Sequence, residues 1–347
     1  MDHLSRQDRI NTVFGGGGHI VILGAGASLA STLRNPDPSG RKLPLMGNFV
    51  EVVGLEDIVE KLPNGLKHNN FEQLFSTLYQ INPSSDEVKA IEERVFHYFK
   101  SLKLPDTPTI YDYLVLSLRP RDIIATLNWD PYLYQAWNRN HGKADLPYTA
   151  YLHGNVAIGY DQFEKRWGPA GMYSKPTGNY LAPTRLLYPV AQKNYNDDEF
   201  IVSQWDMFKD FLADENVRRV TVFGYSAPTT DVEAMDILYN AWTSNKLREV
   251  EDFEVIDVRD KTETLQPWRK FLARDYFDFT TDFFKSSIAR NPRRTSESYF
   301  QHSFPVTEDE AFSDSNPVPS NFKTLDEMWT WYKPLIDAEE KWKKANR

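Results

Sequence analysis

Six short runs of branched and aromatic residues, each bounded by polar or turn-forming residues, constrain this chain more than any other feature. They predict strands at His19–Leu23, Asp122–Thr126, Ala150–His153, Arg219–Phe223, Glu254–Asp257 and Phe277–Thr280. Continuous apolar runs are typical of strands buried on both faces, and segments with helical periodicity separate several of them. The sequence therefore predicts an α/β fold with a Rossmann-like, doubly wound parallel sheet.

Residues 48–121, between the first two predicted strands, are too many for a simple crossover. Helices are predicted over 70–80 and 86–102 from apolar residues at helical spacing. We therefore expect an inserted helical subdomain at 48–121 within a domain that spans residues 1–290. The stretch 159–199 is rich in Gly, Pro, Tyr and Asn, which predicts a long loop beside the sheet and close to a functional site.

From about Asn291 the sequence becomes poor in apolar residues, so residues 291–347 are predicted to form a linker and a C-terminal helical extension. The extension carries an apolar stripe of Leu325, Met328, Tyr332 and Leu335. Pro334 is expected to kink or divide this helix, because proline removes a backbone donor. The stripe fits either a helix docked on the same domain or one that forms an oligomer.

The chain of 347 residues contains no cysteine, which excludes disulfides, thiol nucleophiles, cysteine-ligated zinc and iron–sulfur clusters. Its 49 acidic residues exceed its 40 Lys and Arg, a balance that disfavours direct nucleic-acid or anionic-membrane binding. The short cluster of Arg290, Arg293 and Arg294 is expected to be a solvated surface. The sequence shows no export signal and no apolar run of the roughly 18 residues that a membrane span needs, so we expect a cytoplasmic protein.

The first candidate site follows the first predicted strand, where Gly24, Ala25, Gly26 and Ser28 occur in a Gly-Ala-Gly-Ala-Ser run. Glycines at a strand end allow a tight turn, and the start of the following helix favours a phosphate. The usual dinucleotide fingerprint is incomplete, because Leu29 stands where its third small residue belongs. A plain tight turn is the alternative.

Two further strands end in polar residues. Asn128 and Asp130 follow the second strand, where they are candidates for ribose contacts or simply caps of the next helix. His153, followed by Gly154, ends the third predicted strand, and a neutral imidazole there can act as a general base. A purely structural histidine is the alternative.

The fourth candidate site is Gly224-Tyr-Ser226-Ala-Pro228. It differs from the nucleophile elbow of serine hydrolases, because proline replaces the second glycine of that motif. We interpret it as another phosphate or ribose turn in which Ser226 donates a hydrogen bond and Asp231 caps the next helix.

In this order, the four motifs resemble those of the sirtuin (Sir2-like) NAD-binding family over roughly residues 15–285. The resemblance implies that Gly24, Ala25, Gly26 and Ser28 hold the NAD phosphates and that Asn128, Asp130 and His153 flank the nicotinamide ribose. It also implies that Gly224 and Ser226 contact the adenine-side ribose and phosphate, and that Asp257 lies near the adenosine. In this reading Asn128 and His153 are the catalytic residues.

The chain lacks two features of the protein deacylases in that family, namely the four-cysteine zinc module and the Gly-Ile-Pro-Asp-Phe-Arg run, which Leu43-Pro-Leu-Met-Gly-Asn48 replaces. It looks more like the bacterial Sir2-like effectors of anti-phage defence. The resemblance then implies an NAD+ glycohydrolase that releases nicotinamide and ADP-ribose without a metal. It also implies a homo-oligomer, or a partner such as a HerA-like ATPase or an Argonaute-like protein. The alternatives are a protein deacylase or ADP-ribosyltransferase, and a non-catalytic regulator that binds NAD or ADP-ribose.

Overall fold

The computed structural model describes residues 5–190, 195–227, 231–244, 252–272, 277–303 and 316–346. In chain order its strands are β1 (Gly18–Leu23), β2 (Ile123–Thr126), β3 (Tyr148–Tyr151), β4 (Ile158–Asp161), β5 (Arg166–Pro169), β6 (Ala182–Pro183), β7 (Val217–Phe223), β8 (Asp252–Ile256) and β9 (Asp278–Thr280). The central sheet has the order β3-β2-β1-β7-β8-β9, and all its neighbouring strands are parallel. Apart from the small sheet of β4, β5 and β6, this is the strand order of a Rossmann fold. The predicted fold class is confirmed.

The helices pack around this sheet. They are α1 (Arg6–Asn11), α2 (Ala25–Arg34), α3 (Phe49–Val53), α4 (Glu56–Lys61), α5 (Phe71–Ile81), α6 (Asp86–Lys100), α7 (Ile110–Ser117), α8 (Tyr132–Asn140), α9 (Glu199–Ala213), α10 (Val232–Thr243), α11 (Lys261–Leu265), α12 (Ser287–Arg290), α13 (Thr295–Ser303) and α14 (Leu325–Ala345). Every residue of β1 and β2 is buried, so both faces of the sheet are covered at its centre. No helix within the described ranges is both long and apolar enough to cross a membrane.

The central strands end level with one another. Leu23 pairs with Thr126 on one side and with Phe223 on the other, and these two pair in turn with Tyr151 and Ile256. The residues that follow this row therefore emerge at one edge of the sheet, on either side of β1. In open α/β sheets, ligands bind at this carboxyl edge, where the strand order reverses.

All six predicted strands are present, with ends that differ from the prediction by at most two residues. The predicted third strand extends too far, because β3 ends at Tyr151 and His153 lies in the turn after it. Asp257 likewise follows β8 instead of ending it. Both differences place the side chain beyond the sheet edge.

The stretch 48–121 contains α3 to α7, including helices at Phe71–Ile81 and Asp86–Lys100 that confirm the two predicted ones. Its separation as a subdomain stays a prediction. The stretch predicted as a long loop, 159–199, contains most of the antiparallel sheet of β4, β5 and β6, while residues 191–194 lie outside the described ranges.

The prediction of a linker after Asn291 is wrong for the first part of that stretch, and residues 304–315 lie outside the described ranges. Arg293 and Arg294 are buried and form ion pairs with Glu339 of α14, at 2.6 and 2.7 Å. Arg119 and Glu297 extend this buried cluster through a 2.7 Å ion pair. These arginines are therefore no solvated surface, because α14 supplies the carboxylate that lets their charges be buried.

Pro334 does not divide the C-terminal helix, since α14 runs unbroken over 21 residues. The proline lies on the exposed side, where water can satisfy the carbonyl group that it leaves unpaired. The opposite side of α14 is buried through Met328, Tyr332 and Leu335, as the apolar stripe predicts for a helix docked on its own domain.

Candidate functional site

A cavity of about 510 Å³ opens at the carboxyl edge of the sheet. The predicted site residues among its lining are Gly24, Ala25, Gly26, Asn128, Asp130, His153, Gly224, Ser226 and Asp257. Ser28 is the exception, because it is fully buried and lies outside the lining. The structure thus brings the two residues predicted as catalytic, Asn128 and His153, to one cavity.

The glycines after β1 allow two loops to touch. A Cβ atom on Gly24 would lie 2.5 Å from the carbonyl oxygen of Gly224, and one on Gly26 would lie 2.8 Å from the Cα of Gly224. The backbone N–H of Gly26 donates to the carbonyl of Gly224 over 2.9 Å, and that of Ala27 donates to Gly24 over 3.0 Å. The glycines after β1 therefore allow a close approach between the loops after β1 and β7.

Asn128 is held by the start of α2 and by the end of its own strand, β2. Its amide nitrogen donates to the carbonyl oxygen of Gly24 over 2.9 Å and to the hydroxyl of Ser28 over 3.0 Å, while its backbone N–H donates to Thr126. A carbonyl oxygen can only accept, so the orientation of the amide is fixed. The side-chain atom that remains for a ligand is Oδ1.

Ser28 lies at the centre of a buried network beneath the cavity. Its hydroxyl donates to Asp130 over 2.7 Å, so the hydroxyl of Tyr111, 2.6 Å away, must donate to Ser28. With Asn128 as its second donor, the serine oxygen has no hydrogen-bonding capacity left. Ser28 therefore has no hydrogen-bonding position left for a phosphate, contrary to the expected direct contact.

Asp130 supports the start of the next helix, while its contact with a ribose stays a prediction. Pro131 holds the N-cap position of α8, and the carboxylate of Asp130 accepts from the backbone N–H of Tyr132, the first residue of that helix, over 3.1 Å. It also accepts from Ser28. Burial raises its pKa from 3.8 to about 6, against the lowering effect of these hydrogen bonds. The same burial raises the pKa of Tyr111 well above its ordinary value, so this phenol stays protonated as a donor.

His153 lies in the turn after β3, with its side chain almost fully buried. Its Nε2 is 2.9 Å from the hydroxyl of Tyr195, which packs edge-on against Trp205. Gly154 follows at a φ of +75°, where a Cβ would lie 1.9 Å from the carbonyl oxygen of Arg185. Only glycine fits this turn, which fixes the direction in which the histidine leaves the sheet.

Asn155 joins the histidine turn to the Asn128 loop. Its amide nitrogen donates to the carbonyl oxygens of Asn128 and Asp130, over 3.2 and 2.7 Å. The backbone N–H of Val156 adds a 3.1 Å bond to the carbonyl of Trp129. The loops that carry the two candidate catalytic residues are therefore locked together by hydrogen bonds.

The loop after β7 turns at Gly224, whose φ is +61°, and presents Ser226 to the cavity. Asp231 stands at the N-cap position of α10, yet its side chain makes no capping bond. Its carboxylate instead accepts from the hydroxyl of Tyr225 over 2.9 Å, which corrects the predicted capping role. Pro228 lies outside the described residues.

Asp257, after β8, is paired with Arg259. Its Oδ1 accepts from the backbone N–H and the Nε of Arg259, over 2.9 and 3.0 Å, and its Oδ2 accepts from Nη2 over 2.7 Å. A second cavity of about 200 Å³ shares Asp257 with the first and extends past Arg34 and Phe284. The two cavities meet along the loops after β1, β7 and β8.

Sequence reasoning missed four residues that shape this site, namely Tyr111, Asn155, Tyr195 and Arg259. Asn155 and Arg259 each follow a predicted residue by two positions, so a search beyond the strand ends finds them. Tyr111 and Tyr195 are distant in sequence and reach the site only through the packing of α7 and of the segment before α9. No group of His, Asp or Glu side chains suited to a metal ion occurs within the described ranges.

No protein-family model and no curated protein matches the chain. Among solved structures it is similar to two mutants of a Sir2 homologue in complex with ADP-ribose. They share 12% and 13% identity, each alignment covering 78% of this chain and 88% of the other, with TM-scores of 0.40 and 0.39. A Sir2 homologue–NAD complex has 13% identity, covers 79% and 86%, and has a TM-score of 0.38. Likenesses this weak carry no information on activity or ligand.

Proposed function

We propose that this protein is an NAD+ glycohydrolase. The reaction adds water across the N-glycosidic bond, so that NAD+ and water yield nicotinamide, ADP-ribose and a proton. The observation that carries the proposal is the meeting of Asn128 and His153 at one cavity, on two loops tied together by Asn155. A carboxamide and an imidazole that face the same bound sugar are suited to orient and deprotonate it or the attacking water.

In this mechanism Asn128 orients a ribose hydroxyl or the attacking water, and His153 accepts the proton. The amide nitrogen of Asn128 is already engaged by Gly24 and Ser28, so Oδ1 accepts a hydrogen bond from a ribose hydroxyl or from the water. Tyr195 fixes the imidazole of His153 through Nε2. Proton transfer to a positioned base of this kind contributes about 10²- to 10⁴-fold to the rate.

The charge of the cavity suits a cationic transition state. Cleavage of the N-glycosidic bond builds positive charge on the ribose, and fixed negative groups stabilise such charge in a cavity that excludes water. The carboxylates among the lining residues are Glu72, Asp130, Asp231 and Asp257. Apolar walls from Leu43, Phe49 and Trp129 reduce the contact of the same space with bulk water.

The dimensions of the two joined cavities suit a dinucleotide. The larger one falls within the size of ordinary ligand pockets, and in the proposal it holds the nicotinamide riboside part. The smaller one, beside Asp257 and bounded by Phe283 and Phe284, receives the adenosine. Gly26 and Gly224 border both cavities, so the diphosphate crosses at these glycines.

The direct test is product analysis of the full chain incubated with NAD+, with and without an acyl-lysine peptide. Nicotinamide and ADP-ribose in equal amounts without peptide support the proposal. Turnover only with peptide, with acyl-ADP-ribose as product, favours a deacylase, and transfer of ADP-ribose to protein favours a transferase. Tight binding without any turnover favours a regulator that binds NAD or ADP-ribose.

The biological role that we propose is NAD depletion in defence against phage, by an oligomer or together with a partner such as a HerA-like ATPase or an Argonaute-like protein. The test is the NAD content of infected cells that express the wild-type chain or an Asn128→Ala variant. A fall in NAD only with the wild-type chain supports the role. Equal NAD levels in both contradict it.

A further inference from the structure

The cavity contains little positive charge for a ligand that carries two phosphates. Four carboxylates line it, and Arg259 is the only cation among the described lining residues. A diphosphate brings two negative charges, which repel carboxylates in a partly enclosed space. Arg34 lines the second cavity, but its guanidinium already donates to the carbonyl of Ser320 and lies 4.5 Å from the ring of Phe284. Arg259 is therefore the guanidinium that the first cavity offers to the ligand.

The start of α2 does not replace this cation. The backbone N–H groups of Gly26 and Ala27 are engaged by the carbonyls of Gly224 and Gly24. Of the first three N–H groups of the helix, that of Ala25 is the one left for a ligand. The helix dipole still favours an anion there, although with fewer direct donors than an open helix start offers.

Arg259 is held in a defined orientation at the same cavity. Asp257 receives its Nε and Nη2 in a two-point pair, and the backbone N–H of Arg259 bonds to the same carboxylate. No acceptor within the described part of the chain is bonded to Nη1 or to the second hydrogen of Nη2, so both can serve another acceptor. The side chain is 40% exposed, so solvent and ligands can reach it.

We propose that Arg259 binds the diphosphate of the dinucleotide, with Asp257 as the group that positions its guanidinium. This inference rests on the proposed function, because it presumes a dinucleotide in the cavity. An alternative source of the same phosphate chemistry is a 2′-phosphate on the adenosine ribose. We favour the diphosphate, since a third phosphate would add further negative charge to a cavity that already has an excess of carboxylates.

The test is calorimetric titration of the full chain with ADP-ribose, 2′-phospho-ADP-ribose and adenosine. The Arg259→Gln variant is compared with wild type and with Arg290→Gln, which removes an exposed arginine that lines neither cavity. We expect Arg259→Gln to weaken ADP-ribose binding by about 10- to 100-fold, the effect of a charge-assisted hydrogen bond, and to leave adenosine within about twofold. Arg259→Lys, which keeps the charge without the two-point pair, should restore part of the affinity.

Equal affinity of wild type and Arg259→Gln for ADP-ribose would overturn the inference. An equal loss for adenosine would also overturn it, because the arginine would then act only through the structure of the site. Tighter wild-type binding of 2′-phospho-ADP-ribose than of ADP-ribose, with the difference lost in Arg259→Gln, would assign the residue to a 2′-phosphate instead. Failure of the wild-type chain to bind ADP-ribose at all would overturn the proposed function together with this inference. Binding by wild type that Arg259→Gln leaves unchanged would overturn this inference alone.

Discussion

The amide nitrogen of Asn128 lies 3.0 Å from the hydroxyl oxygen of Ser28, and this hydrogen bond joins the loop after β2 to the first turn of α2. Ser28 is fully buried and also bonds to Asp130 and Tyr111. The serine of the Gly-Ala-Gly-Ala-Ser run therefore supports the candidate catalytic amide from beneath. It does so with all three of its hydrogen-bonding positions occupied.

Replacing Ser28 with alanine should destabilise the fold by about 1–3 kcal/mol, because three buried polar groups lose a partner. The matched control is Ser31→Ala, one turn further along α2, where the hydroxyl is equally buried but has no partner within the described ranges. Urea unfolding of both variants is the measurement. Equal stability losses would contradict the network centred on Ser28.

The turn after His153 makes a similar comparison possible between two His-Gly pairs. Gly154→Ala should cost about 3 kcal/mol or more, because its Cβ would collide with the carbonyl of Arg185. Gly142→Ala, at a φ of +83° with no atom within 4 Å of its Cβ, should cost about 1 kcal/mol from backbone strain alone. Denaturant midpoints of the two variants measure the difference, and a smaller cost at Gly154 would contradict the fit of this turn.

The raised pKa of Asp130 makes stability depend on pH. Between pH 4 and 6 the folded chain keeps a proton that the unfolded chain releases, so the free energy of unfolding falls as pH rises through this window. The shift from 3.8 to about 6 corresponds to about 3 kcal/mol. Asp130→Asn should remove that part of the decline, as measured by unfolding at a series of pH values.

Asp122 provides the internal comparison for this experiment, because burial raises its pKa to about 6 as well, at the opposite end of β2. The decline that persists in Asp130→Asn should therefore become shallower again when Asp122→Asn is added, while the part due to Glu254, whose pKa is also raised by burial, remains. If the free energy of unfolding depends on pH in the same way in wild type and in Asp130→Asn, burial does not control the titration of Asp130.

The sheet was predictable from sequence because buried parallel strands have a strong local signature. The runs before Gly24, Asn128 and Gly224 are apolar and end abruptly. The sequence therefore predicts both the positions of these strands and the residues that follow their ends. Contacts made across long sequence separations were not predictable. Tyr111 reaches Ser28 over 83 residues, and Tyr195 reaches His153 over 42.

Charge pairing explains where the sequence misled. Arg293 and Arg294 stand in a polar stretch that predicts an exposed linker. They are instead buried in contact with Glu339, which lies 46 and 45 residues later in the sequence. Composition in a local window cannot reveal a partner at that distance. For the same reason the sequence predicts that Ser28 contacts a ligand, whereas its hydrogen-bond partners in the structure are Asn128, Asp130 and Tyr111.

In the proposed mechanism, Asn128 and His153 act together on one bound sugar. Its most direct test is the rate of nicotinamide release from NAD+ by Asn128→Ala and His153→Ala. The controls are Asn138→Ala and His141→Ala, which change exposed residues outside the cavity lining. We expect each site variant to lose at least about 100-fold in rate while the controls stay near wild type. Turnover retained in both site variants would contradict this joint action of Asn128 and His153.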